Sequence, residues 1–198
     1  FACFLMMFFA IPLIFEADYI LSLWLKNVPS HTVAFVQLSV VAAIIDRMGI
    51  TCTTACLATG KAKDYTIWVS IAGSLMFFLT WICFFAGCPP ESAYISYMVT
   101  YVLVNVTRWI MMKRLLDFPI MEYVKEVVVK VLFTIPFAIA IPYLVIRLME
   151  PSFIRLLVIC VTCTLSTVIS ICFLGLKSTE RNTLVVQIQN KINKKKTK

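Results

Sequence analysis

One histidine serves the whole chain, and no phosphate-binding Gly-rich loop, zinc-ligand motif or nucleophile motif accompanies it. His31 falls in a short polar turn and reads as a surface or capping-region residue. With those side chains missing, no enzyme constellation is visible, no cofactor is expected, and the chain reads as a non-enzyme. The eight cysteines do not fill the gap. Cys52 and Cys56 share a helix face, as roughly do Cys160 and Cys163, but neither pair has a carboxylate or histidine cluster beside it, so they read as small apolar packing residues. Cys88 lies in a turn without a partner from which a disulfide can be argued. An initiator methionine, a basic leading segment and a small-residue cleavage site are also missing at the start, so the first apolar run does not look like a signal peptide. The expectation is instead the C-terminal portion of a longer protein, cut inside a membrane helix.

What the chain has in excess is apolar length. Apolar residues make up 61% of it and mean hydropathy is +0.93, outside the range of soluble domains. They are gathered into blocks long enough to cross a bilayer, which takes roughly 17–25 mostly apolar residues. An apolar run over 1–15 is interrupted by Glu16 and Asp18 and resumes to Trp24; Pro12 is its expected kink and Trp24 its interfacial anchor. Ser30 is expected to cap a second span over 32–59, the most polar one, closed by Gly60. Further spans are expected over 65–86, 92–112 and 127–148, and a last one follows the turn Glu150-Pro151-Ser152 and ends near Leu176. Pro136 and Pro142 offer bends in the fifth, and residues 114–126 suit a short amphipathic connection at the interface. The expected fold is therefore an all-α polytopic membrane protein, with a helical lobe over 1–176 and a basic tail over 177–198.

Charge gives an orientation. The breaks at 60–64 and 113–126, together with the tail, hold most of the loop cations, whereas the turns at 26–31, 87–91 and 149–152 contain only one, Lys26. Arg147 and Arg155 flank the last of these turns and are expected to snorkel to headgroups. Cations collect on the cytoplasmic side, so the tail is expected inside. The lysines read as topology signals and contacts to anionic lipid rather than as a nucleic-acid surface.

Charges within spans are costly and stand out as functional candidates. Asp46 and Arg47 point about 100° apart on a helix and need not neutralise one another. Either is suited to interhelical pairing or to facing a polar cavity. Arg108, about one turn before Lys113, is suited to snorkelling or to contacting substrate phosphate, and Asn105 shares its face. Glu16 and Asp18 suit an aqueous pathway, coupling to a cation, or an ordinary interfacial ending. The threonines at 51, 53, 54 and 59 are expected to bond the helix backbone or pack between helices.

The segment Ala55-Cys56-Leu57-Ala58-Thr59-Gly60-Lys61-Ala62-Lys63-Asp64-Tyr65 resembles the bacterial oligosaccharide flippase family, the Wzx-like polysaccharide transporters of the multidrug/oligosaccharidyl-lipid/polysaccharide exporter superfamily. The likeness continues in Leu23-Trp24-Leu25 before Val28-Pro29, in Asp46, in Pro89-Pro90-Glu91, and in Phe173-Leu174-Gly175-Leu176 followed by Ser178, Glu180 and Arg181. The resemblance implies that the chain is the six-helix C-terminal lobe of a two-lobed MATE-like transporter in the bacterial cytoplasmic (inner) membrane. The implied activity is flipping of a polyprenyl-diphosphate-linked oligosaccharide for envelope or capsular polysaccharide, with the N-terminal lobe and polysaccharide assembly proteins as partners. Arg47 or Arg108, with Asn105, would then meet the diphosphate, and Asp46, Glu16 or Asp18 would couple to a proton or sodium gradient. Two other readings stay open: a multidrug or small-molecule exporter of the same superfamily, and a noncatalytic membrane assembly subunit whose buried charges only specify packing.

Overall fold

Backbone N–H and C=O groups in hydrocarbon must be satisfied within their own segment, which turns long apolar runs into helices. The computed structural model describes residues 2–170. These form eight helices joined by short turns, with no strand among them: α1 (Ala2–Phe15), α2 (Ala17–Trp24), α3 (Thr32–Arg47), α4 (Ile50–Ala58), α5 (Ala62–Phe85), α6 (Ser92–Leu116), α7 (Ile120–Leu148) and α8 (Phe153–Ser170). A π-helical stretch, Val124–Val129, lies within α7. Five runs are long and apolar enough to cross a membrane: α3 with α4, then α5, α6, α7 and α8. The bent pair α1 and α2 would make a sixth. Residues 171–176 of the expected last span, with the family-like stretch beginning at Phe173, and the basic tail over 177–198 lie outside the described residues.

Three local expectations are corrected. The first run bends at Glu16, by 74°, rather than at Pro12, and α1 continues through that proline to Phe15. Helical bonding persists up to the bend, since the Glu16 N–H donates to the Pro12 carbonyl at 2.9 Å. At the bend the Glu16 side chain is fully buried against Arg155 of α8. Ser30 does not cap α3. His31 holds the N-cap position with φ 74° and no side-chain capping bond. The fifth run starts at Ile120 rather than at 127 and takes up part of the expected connection over 114–126. Asp117 ends α6 in the left-handed region, and α7 starts directly behind Pro119, whose missing N–H costs nothing at a helix start. Phe118 and Tyr123 pack on the core beneath them and hold this segment to the bundle. Gly60 meets expectation: it follows α4 with φ 75°, the left-handed position that closes a helix. Pro136 and Pro142 lie inside α7 without interrupting it.

The helices pack side by side in the order α5, α6, α3, α1, α8, α7. Ser92, Ser96 and Thr100 form a buried stripe at four-residue spacing on α6, the small surface that membrane helices use for close approach. Ser96 and Thr100 return their hydroxyl protons to the carbonyls one turn earlier, at 2.9 and 2.8 Å. On α8, Cys163, Ser166, Thr167 and Ser170 are buried, and the Ser166 hydroxyl donates across to the Phe137 carbonyl of α7 at 3.1 Å. The apolar interior has two centres. Met7, Ile11, Val131, Ala138, Ile159 and Cys163 join α1, α7 and α8, while Cys52 and Cys56 pack with Tyr65, Met111 and Met112. Both Cys52 and Cys56 are thus packing residues. Large apolar side chains face outward instead, among them Phe77, Phe78, Trp81 and Phe85 of α5 and Phe133, Phe137 and Leu144 of α7. Water would penalise that surface and lipid does not, so the long apolar helices fit a multi-pass membrane protein.

The turns before α3 and α6 meet through the His31 ring Nδ1 and the Glu91 carboxylate. A hydrogen bond from its own backbone N–H, and next the bond from His31, hold Glu91 below its ordinary value of 4.5. A depressed carboxylate stabilises the fold above its ordinary value and loses that contribution as pH falls through the depressed one. Thermal midpoints should therefore drop on acidification below pH 4.5. Glu91→Gln should remove this part of the acid dependence; an identical acid limb in that variant would place its origin elsewhere.

Candidate functional site

A break in a membrane helix frees carbonyls that need donors from neighbouring segments. At the break between α3 and α4 the Met48 and Gly49 N–H groups donate to the Ile45 and Asp46 carbonyls at 3.2 and 3.1 Å, and α6 and α7 add side-chain donors. Asn105 donates through Nδ2 to the Ile45 carbonyl at 2.6 Å, Arg108 through Nη1 to the Asp46 carbonyl at 3.3 Å, and the Tyr123 hydroxyl to the Met48 carbonyl at 2.7 Å. Gly49 makes this approach possible. A methyl group built on it would run into the Asn105 side-chain oxygen and lie 3.0 Å from the Arg108 Cδ. Gly49→Ala should cost about 1–3 kcal/mol by overpacking, measured as a loss of thermal stability in detergent. In an Asn105→Ala background the same methyl should cost less; an equal cost in both backgrounds would contradict this contact.

The candidate charges separate into distinct environments. Arg108 of α6 is buried and donates through Nη1 to Asp46 Oδ1 at 2.8 Å and to Asn105 Oδ1 at 3.1 Å. Its Nε is buried without a hydrogen-bond partner. Asp46, Asn105 and Arg108 thus form one cluster, and Arg108 is not the interfacial snorkelling residue that its nearness to Lys113 allowed. Arg47, one position on from Asp46, is exposed. Glu16 belongs to a second cluster at the far side of α1. Arg155 donates through Nη2 to its Oε2 at 3.0 Å, and Arg155 Nε lies 2.8 Å from Oε1 as an ion contact without hydrogen-bond alignment. Arg155 is therefore drawn inward rather than snorkelling to headgroups. Asp18 is exposed and takes no part in either cluster. Thr54 and Thr59 return bonds to the Ile50 and Cys56 carbonyls, while Thr51 and Thr53 meet the Tyr123 and Tyr65 hydroxyls.

Two clefts flank α3, and Arg47 lines both. The larger, about 640 Å³, lies over α6 between α3 and α5, with Ser39, Ala43 and Asp46 on one wall and Tyr94, Tyr97 and Tyr101 along its floor. Tyr97 and Tyr101 join their hydroxyls at 2.8 Å, and Tyr94 stacks on Phe35 with centroids 5.2 Å apart. A smaller recess of about 210 Å³ shares Met76, Tyr97 and Tyr101 with it and reaches Arg108. On the other side of α3, a groove of about 440 Å³ is walled by Leu5, Phe9 and Leu13 of α1 and by Val40, with Arg47 its one charged side chain.

Sequence reasoning identified Asp46, Arg47, Asn105 and Arg108 but missed six contributors. An isolated glycine in a helical pattern signals close backbone approach, so Gly49 carried a local cue. Tyr94, Tyr97 and Tyr101 carried another, since positions i, i+3 and i+7 share a helix face. Arg155 as partner of Glu16, 139 residues away, and Tyr123 as donor to Met48 had none. Chemically, the arrangement offers an exposed guanidinium beside hydroxyl-bearing aromatic rings, suited to an anionic, polyhydroxylated ligand. Among the described residues no group of three or more His, Cys, Asp or Glu side chains is placed to hold a metal ion. No protein-family model, curated protein or solved structure matches this chain.

Proposed function

We propose that this chain is the C-terminal lobe of a two-lobed MATE-like flippase that moves a polyprenyl-diphosphate-linked oligosaccharide across the bacterial cytoplasmic membrane. The observation that carries the reading is the exposed Arg47 guanidinium on a tyrosine-lined cleft within a membrane-spanning bundle. An Arg fork matches phosphate oxygens, and the tyrosines present ring faces and hydroxyls to sugar rings. The second lobe would close the other wall, and rocking of the lobes would expose the cleft to each side in turn. The break at Met48 and Gly49 and the bend at Glu16 supply discontinuous helices of the kind such transporters use. Asp46, opening onto the cleft while paired to Arg108, is the group suited to couple to a proton or sodium gradient. No bond of the substrate is made or broken, so the protein acts as a transporter and not as an enzyme.

The two buried ion pairs favour one alternative, a noncatalytic assembly subunit in which charge only fixes helix packing. Reconstituted full-length protein separates the readings. Translocation of a fluorescent lipid-linked oligosaccharide is expected, and Arg47→Ala should slow it about tenfold at unchanged folded yield. An intact protein without translocation favours the assembly subunit or a small-molecule exporter. Unchanged translocation in folded Arg47→Ala removes the phosphate contact.

A further inference from the structure

The π-helical stretch of α7, Val124–Val129, begins directly after Tyr123, the residue by which α7 reaches the break between α3 and α4. Val127, Val128 and Val129 are consecutive β-branched residues, which crowd the turns of an α-helix. The two flanks of the stretch serve different cores. Tyr123 packs with Cys52, Cys56 and Met111, whereas Val128, Val131 and Ala138 belong with Met7, Ile11 and Ile159. Helix geometry explains how one helix serves both. From Tyr123 to Val131 is a step of eight positions, which places the two about 80° apart on a continuous α-helix, while a π-turn that takes up one residue brings them within about 20°. The π-turn therefore aims Tyr123 at the break. There its hydroxyl donates to the Met48 carbonyl at 2.7 Å and meets the Thr51 hydroxyl of α4 at 3.0 Å.

The same residues can also run as a continuous α-helix, and Val124, which cannot donate to Met48, then takes the place of Tyr123. We propose that these are the two positions of a conformational switch. With the π-turn formed, Tyr123 grips Met48 and Thr51 and holds α4. With the π-turn relaxed, Ile120–Tyr123 turn back by about 100°, the grip is withdrawn, and α4 swings about Met48 and Gly49. The two forms are balanced by opposing terms, regular α-helical bonding in one and the tyrosine's hydrogen bonds in the other. Little has to move with the rotation, since only Ile120–Tyr123 lie between the π-turn and Pro119. The consequence is larger, because α4 continues the span whose first half carries Asp46 and Arg47 on the cleft. This hinge lies within one lobe and operates whatever the protein carries, so it goes beyond the rocking of two lobes.

Hydrogen–deuterium exchange of the full-length protein in nanodiscs reads the grip at the amides of α4, with unchanged exchange of α8 as the sign of an intact fold. Tyr123→Phe keeps the ring against Trp109 and Phe118 and removes the hydroxyl, so exchange of α4 should rise about tenfold. Tyr123→Val combined with Val124→Tyr moves the hydroxyl one position along, where the continuous α-helix presents it to Met48, and protection of α4 should return. Deletion of Lys125, an exposed residue of the stretch, leaves Tyr123 on the face of Val131 with no π-turn to relax. Exchange of α4 should then be no faster than in the unaltered protein, and any translocation should slow about tenfold because the grip cannot be withdrawn. Equal exchange in the Tyr123→Val/Val124→Tyr variant and in Tyr123→Phe overturns the switch, since a fixed brace cannot be satisfied from position 124. Fast exchange of α4 in the folded deletion variant also overturns it, and so does translocation by that variant at the full rate, which would make the π-turn a static joint. The exchange measurements need no transport, so they decide the switch even where the flippase reading fails.

Discussion

Arg155→Ala should lower stability by about 3–5 kcal/mol, the range for removing one partner of a buried ion pair. The size of the effect comes from what is left behind. Glu16 is fully buried, and among the described residues Arg155 is the side chain that donates to its carboxylate. Truncation strands a charge between α1 and α8 and also frees the Met149 carbonyl, to which Arg155 Nη1 donates at 3.2 Å. The 74° turn between α1 and α2 loses the contact that draws Glu16 inward. Thermal unfolding in detergent, followed by loss of the monodisperse folded species, reads the cost. Pairing Arg155→Met with Glu16→Met should recover most of it, because an apolar pair leaves neither a charge nor a side-chain hydrogen-bonding group unpaired. If the double variant is as unstable as Arg155→Ala, the loss comes from packing of the arginine stem and the ion pair is not the cause.

The parts of this fold that were legible in the sequence are those dictated by local composition. Span lengths follow from apolar runs, so the limits of α5 and α6 and the start of α8 lie close to expectation. The ends closed by backbone chemistry were equally readable, as at Gly60. What was not legible depends on partners distant in the chain. Glu16 looks like an interfacial ending until Arg155 is seen against it, and Pro12 looks like the bend although the chain turns at Glu16. The span over 32–59 reads as one helix because its hydropathy is continuous. Its interruption is met by local bonds from the Met48 and Gly49 N–H groups to the Ile45 and Asp46 carbonyls and by further donors from Asn105, Arg108 and Tyr123, whose arrival no local pattern announces. For the site, the 100° divergence of Asp46 and Arg47 was a correct geometric reading: one faces Arg108 and the other is exposed. The register between α3 and α6, which converts separate candidates into a cluster, is set by packing at Gly49 and could not be read from either helix alone.

Asp46→Ala should cost about 2–3 kcal/mol, and more than Arg108→Ala, because the two partners are unequally exposed. The Asp46 side chain is 18% exposed and lines the large cleft, so without Arg108 it can turn to water there. The Arg108 side chain is 10% exposed and its Nε already lacks a partner. Without Asp46 its positive charge keeps only the neutral Asn105 oxygen and the backbone carbonyl of residue 46 as acceptors. Double-mutant analysis of thermal stability should give a coupling of about 0.5–3 kcal/mol for the pair. Asp46→Asn tests the functional side of the same contact. It keeps a side-chain oxygen for Arg108 but cannot carry a titratable charge, so it should stay folded and lose any dependence of transport on the ion gradient. Gradient-driven translocation by folded Asp46→Asn would remove Asp46 from coupling and leave it a packing role. If Asp46→Ala is milder than Arg108→Ala, the guanidinium must find a donor-satisfying partner across the recess beside Tyr101 and Thr100, and the cluster would then be held from α6 alone.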